Sequence, residues 1–272
     1  MSDKPILFSA PMIRALLEGR KTQTRRILKI RSIEGKLVPV YPPEELVSLE
    51  DGDDIARGEV HYLSTGALSG PYRIPFAVGD RLWVREAWRV GNGHEETSPR
   101  DLPPRSMTVL FGAGGSIANQ DFRGDWRPDD WPAPDAVPDW AGRLRPGIHM
   151  PRWASRLTLI VTEVRVERLQ DISNDDAIAE GIQKIGSYAD CDSDPRIDPL
   201  ASAYAQDVFG VDKSEIRTED DLYEAAIAPR LAFAKLWRSI NGADSWKGDP
   251  WVVVVGFEVV KANIDTIERA PA

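Results

Sequence analysis

Four cations, two hydroxyls and a glutamine crowd into the eight residues Gly19-Arg20-Lys21-Thr22-Gln23-Thr24-Arg25-Arg26. An amine close to a hydroxyl can do two kinds of chemistry. Charged, it stabilises a developing oxyanion; desolvated and neutral, it helps to activate the hydroxyl as a nucleophile. Alternation along a strand puts Thr22, Thr24 and Arg26 on one face and Gln23 and Arg25 on the other. Lys21 sits at the turn, where it could converge with Thr24. Arg20, Lys21, Arg25 and Arg26 also suit contact with a phosphate or a polar substrate, against the plainer reading of a solvated basic face.

Such a site needs a carboxylate, and two compete. Glu86 shares a strand face with Leu82, Val84 and Trp88, so it points among apolar neighbours, where a charge is costly unless paired or used. Glu180 falls in the last turn of a short helix, just before Gly181, where a negative charge meets the wrong pole of the helix dipole. Asp176, one turn earlier, adds like-charge repulsion. Both effects would raise the pKa of Glu180, as a general base near neutral pH requires. Equally, either glutamate could pair with Lys21 or an arginine and have no catalytic duty. Trp83 could stack a base, although both Trp83 and Trp88 also suit a core.

The elements that must position these groups are legible in the pattern. Pro5 to Ser9 reads as a short buried strand. Ala10 to Glu18 reads as a helix with Pro11 in its first turn, a stripe of Met12, Ile13, Leu16 and Leu17, and Gly19 as its stop. Thr22 to Leu28 reads as a strand. After the Gly79-Asp80 turn, Arg81 to Trp88 reads as another, and Arg156 to Leu169 is the clearest strand in the chain, with Glu163, Arg165 and Glu167 on its exposed face. Ser173 to Gly181 carries helix-start residues and a terminal glycine. Asp220 to Ile240 reads as one or two helices broken near Pro229, and Trp251 to Phe257 begins a closing strand buried on both sides. Between these lie insertions at about 32–74, 91–148 and 182–218. The second is rich in proline but holds Trp126, Trp131 and Trp140, as an ordered excursion packed on the core would. Strands at the beginning, middle and end of the chain favour one α+β domain over residues 1–272, a β-barrel core decorated by loops.

The 272 residues carry a net charge of −9, which argues against a nucleic-acid binder until the distribution is considered. Met1 to Arg31 holds eight basic and two acidic residues, whereas Asp171 to Ala228 holds four basic and fifteen acidic ones. An acidic stretch that maintains solubility can coexist with a basic functional face. Cys191 is the single cysteine, which excludes an internal disulfide and a thiolate cage. His61, His94 and His149 show no paired metal-ligand spacing. No apolar run is long enough for a membrane helix and no secretory leader is visible, so a cytoplasmic protein is expected.

Gly19-x-Lys21-x-x-x-x-Arg26 resembles the Gly-x-Lys-x-x-x-x-Arg signature of ASCH domains, relatives of the PUA RNA-binding barrel. Gly79-Asp80 leading into a strand and the Asp-Ala-x-x-Glu-Gly helix of Asp176 to Gly181 fit the same pattern. Met150-Pro151-Arg152-Trp153-Ala154-Ser155-Arg156 resembles a passage in longer ASCH-type proteins of phages and prophages. The resemblance implies a PUA-like/ASCH β-barrel with flanking helices and long loop insertions. Small bacterial members are amidohydrolases that remove the acyl group from N(4)-acetylcytidine with a lysine, a threonine and a glutamate. Those roles fall on Lys21, Thr24 and Glu180, with Glu86 in reserve, and on no metal or cofactor. Arg20, Arg25, Arg26 and Trp83 would contact a modified nucleoside or nucleotide. Other members bind RNA or act as ribonucleases, so the alternative is a module for single-stranded RNA or modified bases.

Overall fold

The computed structural model of the chain describes residues 2–31, 37–39, 45–47, 59–64, 67–104, 107–117, 137–182 and 229–268. In chain order the elements are β1 (Asp3–Leu7), α1 (Ala10–Leu17), β2 (Gln23–Ile27), β3 (Lys29–Arg31), β4 (Leu37–Pro39), β5 (Glu45–Val47), β6 (Glu59–Ser64) and β7 (Ala67–Arg73). They continue with β8 (Arg81–Arg85), β9 (Trp88–Arg89), β10 (Val109–Phe111), β11 (Ser116–Ile117), β12 (Thr158–Arg168), α2 (Asn174–Ala179), α3 (Pro229–Asn241) and β13 (Trp251–Val260). The fold is α+β. Two compact units are present, one made of Met1–Gly19, Val78–Thr162 and Phe257–Ala272, the other of Arg20–Ala77 and Glu163–Gly256. Among the described residues no ladder closes into a barrel, and no helix is long and apolar enough to cross a membrane.

In the first unit, Pro11 presets the first turn of α1, and Ile13 and Leu16 bury its apolar stripe completely. Gly19, at φ 76°, ends the turn in the left-handed region that suits a residue without a Cβ. β1 runs parallel to β8, from Asp3 opposite Arg81 to Leu7 opposite Arg85. The first residues of β12 pair antiparallel with β8, Thr158 lying opposite Trp83. In the proline-rich excursion, Leu102, Met107, Val109 and Phe111 join Trp88 and Met150 in one apolar cluster. Trp140 instead is 39% exposed, and Trp126 and Trp131 lie outside the described residues.

The strand expected over Arg81 to Trp88 is divided. β8 ends at Arg85, and β9 pairs with β10 in a separate antiparallel ladder. Between them the backbone of Glu86 is pressed by Gly147, where an added Cβ would stand 2.7 Å from Leu7 Cδ1 and 2.8 Å from the Glu86 carbonyl carbon. Gly147→Ala is therefore expected to cost about 1–3 kcal/mol of stability, since main chain rather than a flexible side-chain tip must yield. Denaturant unfolding of the variant checks this, and an unchanged midpoint would show that the 146–148 turn moves aside freely.

In the second unit β2 pairs antiparallel with β13, from Ile27 opposite Val252 to Gln23 opposite Gly256. Val252 to Val255 are all buried, as a continuous apolar run requires. Val252 and Val254 pack with Ala177 of α2 and with Phe233 and Trp237 of α3. α3 begins at Pro229, where a proline suits a first turn, and the residues before it lie outside the described set. The insertion at about 32–74 holds more strand than its glycines and prolines suggest. β3 pairs with β4, and β5, β6 and β7 form an antiparallel meander.

Candidate functional site

The residues that open β2 are carried to the end of α2 by main chain. Thr22 N donates to Ala179 O at 2.8 Å, and Lys21 and Glu180 face each other in an isolated antiparallel bridge. α2 forms here because Ser173 caps it, accepting from Asp176 N at 3.1 Å. It stops because Gly181 adopts φ 95°, leaving Glu180 as the residue that caps its carboxyl end.

Side chains then close the bridge. Lys21 Nζ donates to Glu180 Oε2 at 2.7 Å and to the Glu180 carbonyl oxygen at 2.8 Å, with 0% of the lysine side chain and 4% of the glutamate side chain exposed. Arg25 Nη1 donates to the other carboxylate oxygen, Glu180 Oε1, at 3.3 Å. The two cations compensate the poor position of Glu180 at a helix carboxyl end. Burial lowers the Lys21 amine below a lysine's ordinary range; the charge and hydrogen bond of Glu180 oppose this without cancelling it, and the charges of Arg26 and Arg25 add to the lowering. Arg26, partly buried, is itself lowered by burial and held up by Glu180. Arg20 Nη1 donates to Gly181 O at 2.7 Å.

Behind this pair stands a second layer of charge. Arg25 reaches Glu167 Oε1 through Nε at 3.1 Å and Nη2 at 2.5 Å, and Asp176 Oδ2 at 3.2 Å. Gln23 Nε2 donates to both the carbonyl and Oδ1 of Asp176 at 3.0 Å. Arg165 bridges Asp176 and Glu167 at 2.6 and 3.0 Å. Asp176 thus faces cations and an amide, where the sequence reading had it simply repelling Glu180. Burial works to raise the Asp176 carboxyl, but hydrogen bonds from Gln23 and Arg165 and the charges of Arg25 and Arg165 prevail and hold it at about 2. A carboxyl depressed in the folded state contributes stability above its ordinary range, and that contribution is lost as pH falls through about 2. Wild type is accordingly expected to exceed Asp176→Asn in stability near pH 6 and to lose the advantage in strong acid, as urea unfolding at both pH values would reveal.

Thr24 is buried on β2 opposite Val255. The structure thus gathers Arg20, Lys21, Arg25, Arg26 and Glu180. Glu86 and Trp83 belong to the other unit and have other partners. Arg156 clamps Glu86 through two bonds, Nε to Oε1 at 2.8 Å and Nη2 to Oε2 at 2.9 Å. Trp83, 6% exposed, carries the Arg85 guanidinium 4.4 Å from its ring centroid. Glu167, Arg165, Asp176 and Gln23 were not singled out as site residues from sequence. Alternation along β12 marks Glu163, Arg165 and Glu167 as one face, yet it cannot tell a solvated face from one that lies against a buried arginine.

Away from this cluster, a cleft of about 590 Å³ opens between segments 95–99 and 143–149 of the other unit. In its lining the Arg143 main-chain N donates to Glu95 Oε1 and Arg143 Nη2 to the Glu95 carbonyl, while Arg145 donates to the carbonyls of His94, Glu95 and Thr97. Among the described residues no group of histidine, cysteine and carboxylate side chains is arranged to hold a metal ion. Comparison of the chain with protein families, with curated proteins and with solved structures finds no match.

Proposed function

We propose that the chain is a PUA-like, ASCH-type amidohydrolase that cleaves the N(4)-acyl group of cytidine or of a related modified pyrimidine nucleoside or nucleotide. The observation that carries this reading is the buried Lys21–Glu180 pair, whose amine is lowered by burial below a lysine's ordinary range. It occupies the positions to which the resemblance assigns the lysine and glutamate roles. A solvated basic face would present these groups to water, and here Lys21 and Arg25 have side chains with 0% exposure.

In this reaction Thr24 Oγ1 attacks the acyl carbonyl carbon while the deprotonated fraction of the Lys21 amine takes the hydroxyl proton. Glu180 holds the resulting ammonium in place. Collapse of the tetrahedral adduct breaks the C–N bond, and the ammonium returns its proton to the leaving exocyclic amine of the base. Water then attacks the acyl-threonine by the same proton route, releasing a carboxylic acid and restoring the hydroxyl. Arg26 orients the base or a phosphate. The alternative, a module for single-stranded RNA, needs cations displayed along a strand of phosphates, and Lys21, Arg25 and Trp83 are already occupied within the protein.

The test is a panel of N(4)-acylated cytidines of increasing acyl length, incubated with wild type and with Thr24→Ala. Release of cytidine by wild type and its loss in the variant are expected. A wild type inert on the whole panel that binds single-stranded RNA with a steep salt dependence would replace this function by the second.

A further inference from the structure

We propose that Arg25 is a positioning residue, which shares the Glu180 carboxylate with the Lys21 amine from a fixed place and so sets how readily that amine takes a proton. The inference rests on the amidohydrolase reading above and assigns Arg25 a duty other than touching substrate. Its side chain has no exposure, and every contact described for it is made with the protein.

The geometry divides the work of one guanidinium. Glu167 of β12 takes Nε and Nη2, Asp176 of α2 adds an oxygen 3.2 Å from Nη2, and Nη1 is left to reach Glu180 at 3.3 Å. From α3 the ring of Phe233 lies 5.9 Å from Arg25 Cζ. Glu167 makes the shortest contact with the guanidinium, through Nη2, and Glu180 the longest, through Nη1. Arg25 is thus held from behind and offers Glu180 a fixed charge, which leaves Oε2 aligned with Lys21 Nζ at 2.7 Å. Among the described residues the charged groups that act on Lys21 include Glu180 at the end of α2 and Arg25 and Arg26 from β2.

An arginine keeps its proton under all ordinary conditions, so in this set Lys21 is the cation that titrates. Removing the Arg25 charge acts on Lys21 twice with the same sign. The like-charge repulsion between the two cations disappears, and the negative charge of Glu180 is no longer shared. Both changes let the amine hold its proton to higher pH, reducing the neutral base near pH 7.

The experiment follows the Lys21 Cε resonance in protein labelled with 13C-lysine, identified as the signal missing from Lys21→Met, through a pH titration. In folded Arg25→Gln the midpoint is expected to rise by about one pH unit or more, and Arg25→Lys to recover at least half of that shift. The acid limb of the hydrolysis profile should move with it. A midpoint that stays or falls in Arg25→Gln, or rises as far in Arg25→Lys, overturns the proposal. Should Arg25→Gln not fold, Arg25→Gln/Glu167→Gln deletes the charge together with a counter-ion and is read by the same two criteria. Because the resonance needs no turnover, a shift without hydrolysis rejects the enzymatic reading alone, and hydrolysis without a shift rejects the role of Arg25 alone.

Discussion

Lys21→Met is expected to slow hydrolysis of an N(4)-acylated cytidine by about 10²–10⁴-fold, the usual worth of a positioned acid–base group. The fold should survive, because Arg25 still meets Glu180 and the peptide groups of residues 21 and 180 still face each other. About 1–3 kcal/mol of stability is expected to go with the lost hydrogen bonds of a buried carboxylate. Lys21→Arg decides what the amine does. A guanidinium stabilises an oxyanion as an ammonium does but cannot accept a proton near neutral pH. If Lys21 acts as a base, Lys21→Arg is as slow as Lys21→Met; a variant within tenfold of wild type would show that charge alone is used. The wild-type rate should also climb with pH through the Lys21 titration, which burial places below the ordinary lysine range.

Arg156→Met is expected to cost about 3–5 kcal/mol near pH 8 and distinctly less near pH 5. Glu86 is 1% exposed, and its carboxyl is raised by burial against the hydrogen bond and charge of Arg156. A raised carboxyl binds its proton more readily in the folded than in the unfolded state, so its contribution falls as pH climbs past the ordinary carboxylate range. Without Arg156 both lowering influences vanish and the carboxyl rises further. At the lower pH it takes a proton and only packing is lost, including the Arg156 contact 3.9 Å from the Phe111 ring centroid. At the higher pH an uncompensated charge stays buried. Urea unfolding at the two pH values measures the difference, and Arg156→Met/Glu86→Gln should recover part of the loss only at the higher one. Equal losses at both would mean that the Glu86 charge escapes to water.

What could be read from the sequence was local. α1 follows from its apolar stripe, with a proline at one end and a glycine at the other, and α2 from Ser173 and Gly181. Lys21 and the helix that ends beside Glu180 were legible, but the choice of Glu180 over Glu86 as the partner of Lys21 was not. What escaped depends on partners far along the chain. Glu86 was read on an unbroken strand because Leu82, Val84, Glu86 and Trp88 keep one parity; the strand stops where Arg156, seventy residues on, captures the carboxylate. Asp176 was read as repelling Glu180 because the two lie one turn apart, whereas Arg25 and Arg165 reach it from β2 and β12. The meander β5 to β7 was hidden by breakers such as Gly70, whose effect on a strand is outweighed by neighbouring ladders.

Lys21 and Glu180 are brought face to face by peptide groups, which every amino acid other than proline can supply in the same way. Address and payload are thereby separable in this corner of the molecule. An exchanged pair, Lys21→Glu with Glu180→Lys, would arrive at the same spot with its polarity inverted beside Arg25, and a thiol or imidazole could be delivered there on an unaltered backbone.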